Sequence, residues 1–162
     1  MNAILAEMFK HNLWANLRLL DACAALNEEQ LEATLPGTYG KINDTLLHIF
    51  GAEERYAARL KGEQIARPIL EEKGFQGIDS LRSAAQASGE ALIEVASASQ
   101  DPKLLRFTTL QGEEVEHSNS LLLVQAINHA TEHRAQILTI LTQQGVEPPD
   151  VSGWAWDWET KR

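Results

Sequence analysis

Cysteine is nearly missing: Cys23 is the only one in 162 residues. No disulfide can form within the chain, so nothing points to an oxidising compartment. Positive charge is thin as well, with 14 Lys and Arg against 23 Asp and Glu and a net charge of −9. Neutralising a phosphate backbone takes an excess of Lys and Arg on some surface, and no window supplies one, which excludes a general nucleic-acid partner. No apolar run approaches the ~18–20 residues that a membrane helix needs. The first seven residues carry an acid, Glu7, and lack the basic flank and long apolar stretch of a secretory signal. Repeats and low-complexity tracts are absent too. Together these absences predict a cytoplasmic chain without a membrane partner.

What is there is a hydrophobic fraction of 44%, enough for a packed core and too much for intrinsic disorder. A chain of 162 residues fits one domain, spanning 1–162. Residues 3–25 read as a helix, with Leu5, Met8, Phe9, Leu13, Leu17 and Leu20 at helical spacing. Asn27 and Gln30 carry the signature of a capping box for a brief helical turn through Leu35, which Pro36-Gly37 stops. A second helix begins at Ile42 or Asn43 and continues to Leu60, with Gly62 as its terminating glycine. Residues 62–78 include Pro68, Gly74 and Gly77, and a connection this long predicts a crossover rather than a tight hairpin. Asp79 can cap a third helix from Ser80 to Ser99, ended by Asp101-Pro102. Residues 105–109 and 113–117 flank Gln111-Gly112 as a short β-hairpin. Ser118, Asn119 and Ser120 offer caps for a fourth helix reaching Gln144, before Gly145 and Pro148-Pro149. Four rods of roughly 30 Å bury their apolar stripes best against one another. The expected fold is an all-α four-helix bundle with a long crossover connection and a short β-hairpin before the last helix.

Two of the five histidines, His129 and His133, are four residues apart, which puts both imidazoles on one helical face a turn apart. The same face carries Leu122, Ala126, Ile137 and Ile140, so the pair sits on the buried stripe. Two imidazoles among aliphatic side chains are costly unless each ring nitrogen finds a partner, and a metal ion supplies one to each. Hydrogen-bonded core histidines are the alternative. Ala130 stands where a zincin would need its glutamate, which disfavours a metalloprotease. A third ligand must come from His11, His48 or His117. His48 lies away from the apolar stripe of its helix, on a face with Asp44, Thr45, Gly51, Ala52 and Arg55. That face could line a metal cavity or be plain surface, and spacing does not choose between the two. His117 reads as an exposed strand residue.

Four segments resemble the DinB-like (DinB/YfiT-like) metalloenzymes, and together they span nearly the whole chain. Trp14-Ala15-Asn16 is similar to a motif of the family's first helix. Gly40 through Ile49, containing His48, resembles the entry to its second helix. Residues 107–115 resemble its short hairpin with a central glycine. Asn128-His129-Ala130-Thr131-Glu132-His133-Arg134-Ala135-Gln136 matches its most specific pattern, with Ala135 in place of the usual glycine and Glu132 where an aromatic or histidine is common. The resemblance implies a four-helix bundle that binds one divalent ion through three histidines, which map onto His48, His129 and His133. It thereby selects His48 where periodicity could not.

Three neutral imidazoles leave at least one open position on an ion, as catalytic sites do. Zinc, nickel, manganese and iron all accept imidazole, with zinc or nickel the leading expectation. The resemblance implies a metal-dependent transferase using a small, low-molecular-weight thiol, with metal-assisted hydrolysis as the alternative enzyme. A non-enzymatic metal sensor and an interaction module are the rival classes. The resemblance also implies a homodimer. Helical spacing nominates Asp44, Gln125 and Gln136 as hydrogen-bond partners of His48, His129 and His133 respectively. Glu53 and Arg134 could reach the pocket or lie on solvated faces. Trp154, Trp156 and Trp158 alternate after Pro148-Pro149 and read as an extended tail, packed on the bundle, closing the pocket or binding a second subunit.

Overall fold

The computed structural model describes residues 2–65, 68–99 and 101–161. Its main helices are α1 (Ala3–Ala24), α3 (Ile42–Lys61), α5 (Ile78–Ala98) and α6 (Asn119–Gln143). Short helices α2 (Glu28–Leu31), α4 (Ile69–Lys73) and α7 (Gly153–Thr160) occupy the connections and the tail. Two antiparallel strands, β1 (Leu104–Thr108) and β2 (Glu114–Ser118), precede α6, with Phe107 opposite Val115. The four-helix bundle with its hairpin is therefore as expected.

α1 and α3 each pack on both α5 and α6, so they occupy opposite corners of the bundle. The core splits into two apolar clusters, one at each end. Leu19, Leu20, Ile42, Phe50, Leu81, Ile137 and Leu141 form the first, and Phe9, Leu60, Leu92, Ala96, Leu122 and Leu123 the second. The early part of α3 thus shares a level with the early part of α5 and the late parts of α1 and α6. So α3 and α5 run parallel, and the chain between them must travel back along the bundle. That requirement is the physical reason for the long crossover. On its way the crossover forms α4, whose Leu70 is buried in the first cluster. Residues 66 and 67 of this connection lie outside the described residues.

Local chemistry sets the helix ends. Asn27 and Gln30 make the reciprocal capping box of α2, which ends at Leu31, four residues before the expected stop. Gly62 closes α3 at φ 83, a left-handed conformation that favours glycine. Ser118 caps α6 by accepting from the Leu121 N–H at 3.2 Å. α5 starts at Ile78 rather than Ser80, with Gly77 at its cap and Asp79 inside the first turn. Gly89 of α5 admits close approach of α1: a Cβ there would fall 2.6 Å from Leu13 Cδ1.

The tail differs from expectation. Residues 153–160 are helical, capped by Ser152, whose hydroxyl accepts from the Ala155 N–H at 3.2 Å. Alternate residues of a helix point to nearly opposite sides, so Trp156 turns inward while Trp154 and Trp158 are exposed. Trp156 sits 5.6 Å from the His11 ring, and His11 Nε2 lies 3.0 Å from the Val151 carbonyl oxygen. His11 anchors the tail.

Candidate metal centre

The polypeptide brings His48 of α3 together with His129 and His133 of α6. One ligand atom from each can be chosen so that all three lie within 4.8 Å of one another. The Nε2 atoms of His48 and His129 are 2.9 Å apart, and the three ring centroids are separated by 4.7, 4.9 and 4.5 Å. Nitrogens at about 2.0–2.1 Å from a shared ion lie roughly 3 Å apart when the ligand angle is near a right angle. The His48–His129 separation matches that value, and the three imidazoles together are a donor set that could hold a divalent ion. His48 and His129 are half-buried and His133 is buried.

A proton on the wrong nitrogen would block such a site, and Gln136 controls this at His133. Gln136 Oε1 accepts the Tyr39 backbone N–H at 3.0 Å and lies 3.0 Å from His133 Nδ1. An oxygen that already accepts from a backbone N–H is an acceptor, so Nδ1 carries the proton and Nε2 keeps its lone pair. Tyr39 stacks on His48 at 4.0 Å and 10°, and meets His133 edge-on at 5.2 Å. The other two nominated partners fail. Asp44 and Gln125 are exposed and make no hydrogen bond to His48 or His129 among the described residues. The buried Nδ1 of His129 has no hydrogen-bond partner among them.

Burial, reinforced by His48, His133 and Arg55, pushes His129 down from the usual 6.5 to about 3. Burial and then His133 and Arg55 lower His48 too. Both rings are therefore neutral near pH 7, the form that can ligate a cation. Beside His48 opens a cleft of about 520 Å³, lined by Tyr39, Asp44, Arg55, Glu71 and Leu110 among others. Tyr39 belongs to the loop before α3, Glu71 to the crossover and Leu110 to the hairpin turn, so three connections frame the opening. The side of α3 that carries His48 is far from plain surface: Thr45, Gly51, Ala52 and Arg55 are all buried.

Glu53 and Arg134 lie neither at the cleft nor in solvent. Both are buried in a polar layer that separates the two apolar clusters. Asn12 and Asn16 of α1 donate to Glu53 Oε1 at 2.7 and 2.9 Å. Arg134 Nη1 donates to the Oδ1 of both asparagines at 2.7 Å, and Ser88 of α5 donates to Glu53 Oε2 at 3.3 Å. The two amides thus connect cation to anion, with their N–H₂ groups toward the carboxylate and their carbonyls toward the guanidinium. Burial pushes Glu53 up, against the pull of Asn12, Asn16 and Arg134, and brings Arg134 down to about 10. This layer touches all four main helices. His133 precedes Arg134, and His48 lies five residues before Glu53, so the layer fixes the register in which the imidazoles meet. Sequence reasoning missed it, although Asn12, Asn16 and Glu53 all interrupt apolar stripes.

His117 is exposed on β2, 5.9 Å from the Phe107 ring, and joins no metal-ligating cluster among the described residues. No helix among the described residues is long and apolar enough to cross a membrane.

A mostly helical bundle carrying three convergent imidazoles, one of which lines an open cleft, defines a class of protein that could hold a metal ion. The chain belongs to the DinB family, whose model matches residues 1–162. Its fold is similar to that of a crystal structure of a DinB-like protein from Bacillus cereus ATCC 10987, with a TM-score of 0.67. That likeness covers 91% of this chain and 95% of the other at 16% identity, and it speaks for the fold alone. No curated protein matches the sequence.

Proposed function

We propose that the chain binds one divalent metal ion through His48, His129 and His133 and acts as a metal-dependent transferase of a small thiol. The observation that carries the metal reading is the convergence of three imidazole nitrogens, with His48 and His129 neutral, beside an open cleft. A bound ion, zinc or nickel in first place with manganese or iron as alternatives, would supply Lewis acidity and an open position for a thiol. The chain's own contribution is to hold His133 in one tautomer through Gln136, to shield one side with Tyr39 and to admit a small molecule through the cleft. The thiol itself rests on the family resemblance. Metal-dependent hydrolysis is the second enzymatic reading, favoured by the carboxylates of Asp44 and Glu71 at the same opening.

Elemental analysis of protein purified without an affinity tag, followed by thiol-transfer and hydrolase assays with small electrophiles, separates the readings. Metal with thiol transfer supports the proposal. Metal with turnover only in the hydrolase panel supports the second reading, and metal without turnover supports a sensor. Protein that takes up no metal when loaded supports an interaction module.

The same proposal includes one domain over 1–162, a cytoplasmic setting and a homodimer. Exposed Ile4, Met8, Leu121, Val124 and Trp154 supply apolar surface on α1, α6 and α7 for a second copy. Sedimentation is expected to give a dimer that Val124→Glu converts to monomer; a monomeric parent protein contradicts this.

A further inference from the structure

We propose that Arg55 anchors a carboxylate of the small molecule entering the cleft, with Glu71 as a built-in counter-ion that the incoming group displaces or shares. The thiol reading enters only through the choice of probe. Arg55 lies seven residues beyond His48, two helical turns along the same side of α3, and both line the cleft. Its side chain is 10% exposed. Guanidinium offers five donors in a planar fork. Only Nη1 has a protein acceptor among the described residues, Glu71 Oε1 at 2.7 Å. A one-pronged pair leaves donors open to a second carboxylate, the group whose geometry matches the fork.

Glu71 is placed for replacement. It arrives on the crossover helix α4, and its side chain is more exposed than that of its partner, 21% against 10%. The space it uses exists because residue 51 is glycine. A Cβ at Gly51 would fall 2.7 Å from Glu71 Cγ and 2.8 Å from Oε1. Charge balance points the same way. With neutral imidazoles, Asp44 and Glu71 outweigh Arg55, whereas a divalent ion turns the balance positive and favours an anionic guest.

A purely structural ion pair between α3 and α4 predicts that breaking either partner has the same effect. An anchor with a counter-ion predicts opposite effects. The test uses the cobalt(II)-loaded full chain, with binding of 3-mercaptopropionate and of 2-mercaptoethanol read from its visible absorption. The carboxylated thiol is expected to bind on the order of tenfold more tightly, as a charge-assisted hydrogen bond provides. Arg55→Gln should abolish that ratio, while Glu71→Gln and the charge-neutral Gly51→Ala should enlarge it. Comparing two thiols on one variant removes any change in metal affinity. Equal binding of both thiols, or a preference surviving Arg55→Gln, overturns the anchor and leaves the thiol reading intact. If neither thiol alters the spectrum, the thiol reading falls. Propionate against 1-propanol, titrated calorimetrically into the same four proteins, then decides the anchor: a propionate preference lost with Arg55 supports it, and none overturns it.

Discussion

At the scale of single residues, the imidazoles behave as neutral ligands because they are desolvated together. His129, held near 3, binds no proton in the native state until strongly acid pH, whereas in the unfolded chain it takes one up near the usual 6.5. Between these values the unfolded state binds more protons, so stability falls as pH falls. The metal-free protein should be most stable above about pH 6.5 with respect to this group, lose stability down towards pH 3, and change no further below it. His48 adds to the loss in the same direction. Urea titrations of the parent chain and of His129→Gln across this range check the prediction. Glu53, pushed up, works the opposite way in both, so the parent should lose more stability on acidification than the variant, and an identical pH dependence contradicts it. Gln136 makes the second residue-scale prediction. Gln136→Leu removes the acceptor that orients His133 and should weaken metal binding about 10–100-fold with unchanged circular dichroism. Unaltered affinity would mean that His133 needs no such support. Gln136 was legible in the sequence because it lies three residues from His133 on one helix. The surroundings of His48 and His129 were not, because side-chain direction and the loop carrying Tyr39 decide them.

At the scale of elements, four helices meet at one buried polar layer, and its members act as a unit. Arg134→Met leaves Glu53 buried with its asparagine bridges unmatched, which should cost about 3–5 kcal/mol in a urea titration. A loss under about 1 kcal/mol would show that Glu53 is accommodated as a neutral acid, since a protonated carboxyl needs no cation. Helix spans were legible to within a few residues because caps, glycines and apolar spacing all agree, as at Asn27, Gly62 and Ser118. The tail helix was not. Pro148-Pro149 and alternating tryptophans suggested extension, while the local signal that prevailed was a single capping serine, Ser152.

At the scale of the whole molecule, parallel neighbours α3 and α5 force a returning crossover, and that crossover delivers Glu71 to the cleft beside Arg55. The bundle therefore does two things with one topology. It brings α3 against α6 so that three imidazoles converge, and it routes three connections around the opening beside His48. Periodicity pointed to His129 and His133 because they lie on a buried stripe, but it left His48 open. Its partners come from a different helix, and only the register between helices brings them within reach. The most direct measurement is anomalous diffraction at the metal edge from crystals of the loaded protein. The account predicts one peak per chain, about 2.0–2.1 Å from a nitrogen of each of His48, His129 and His133. A peak elsewhere, or a His48 ring turned away from the other two in the loaded protein, would contradict it.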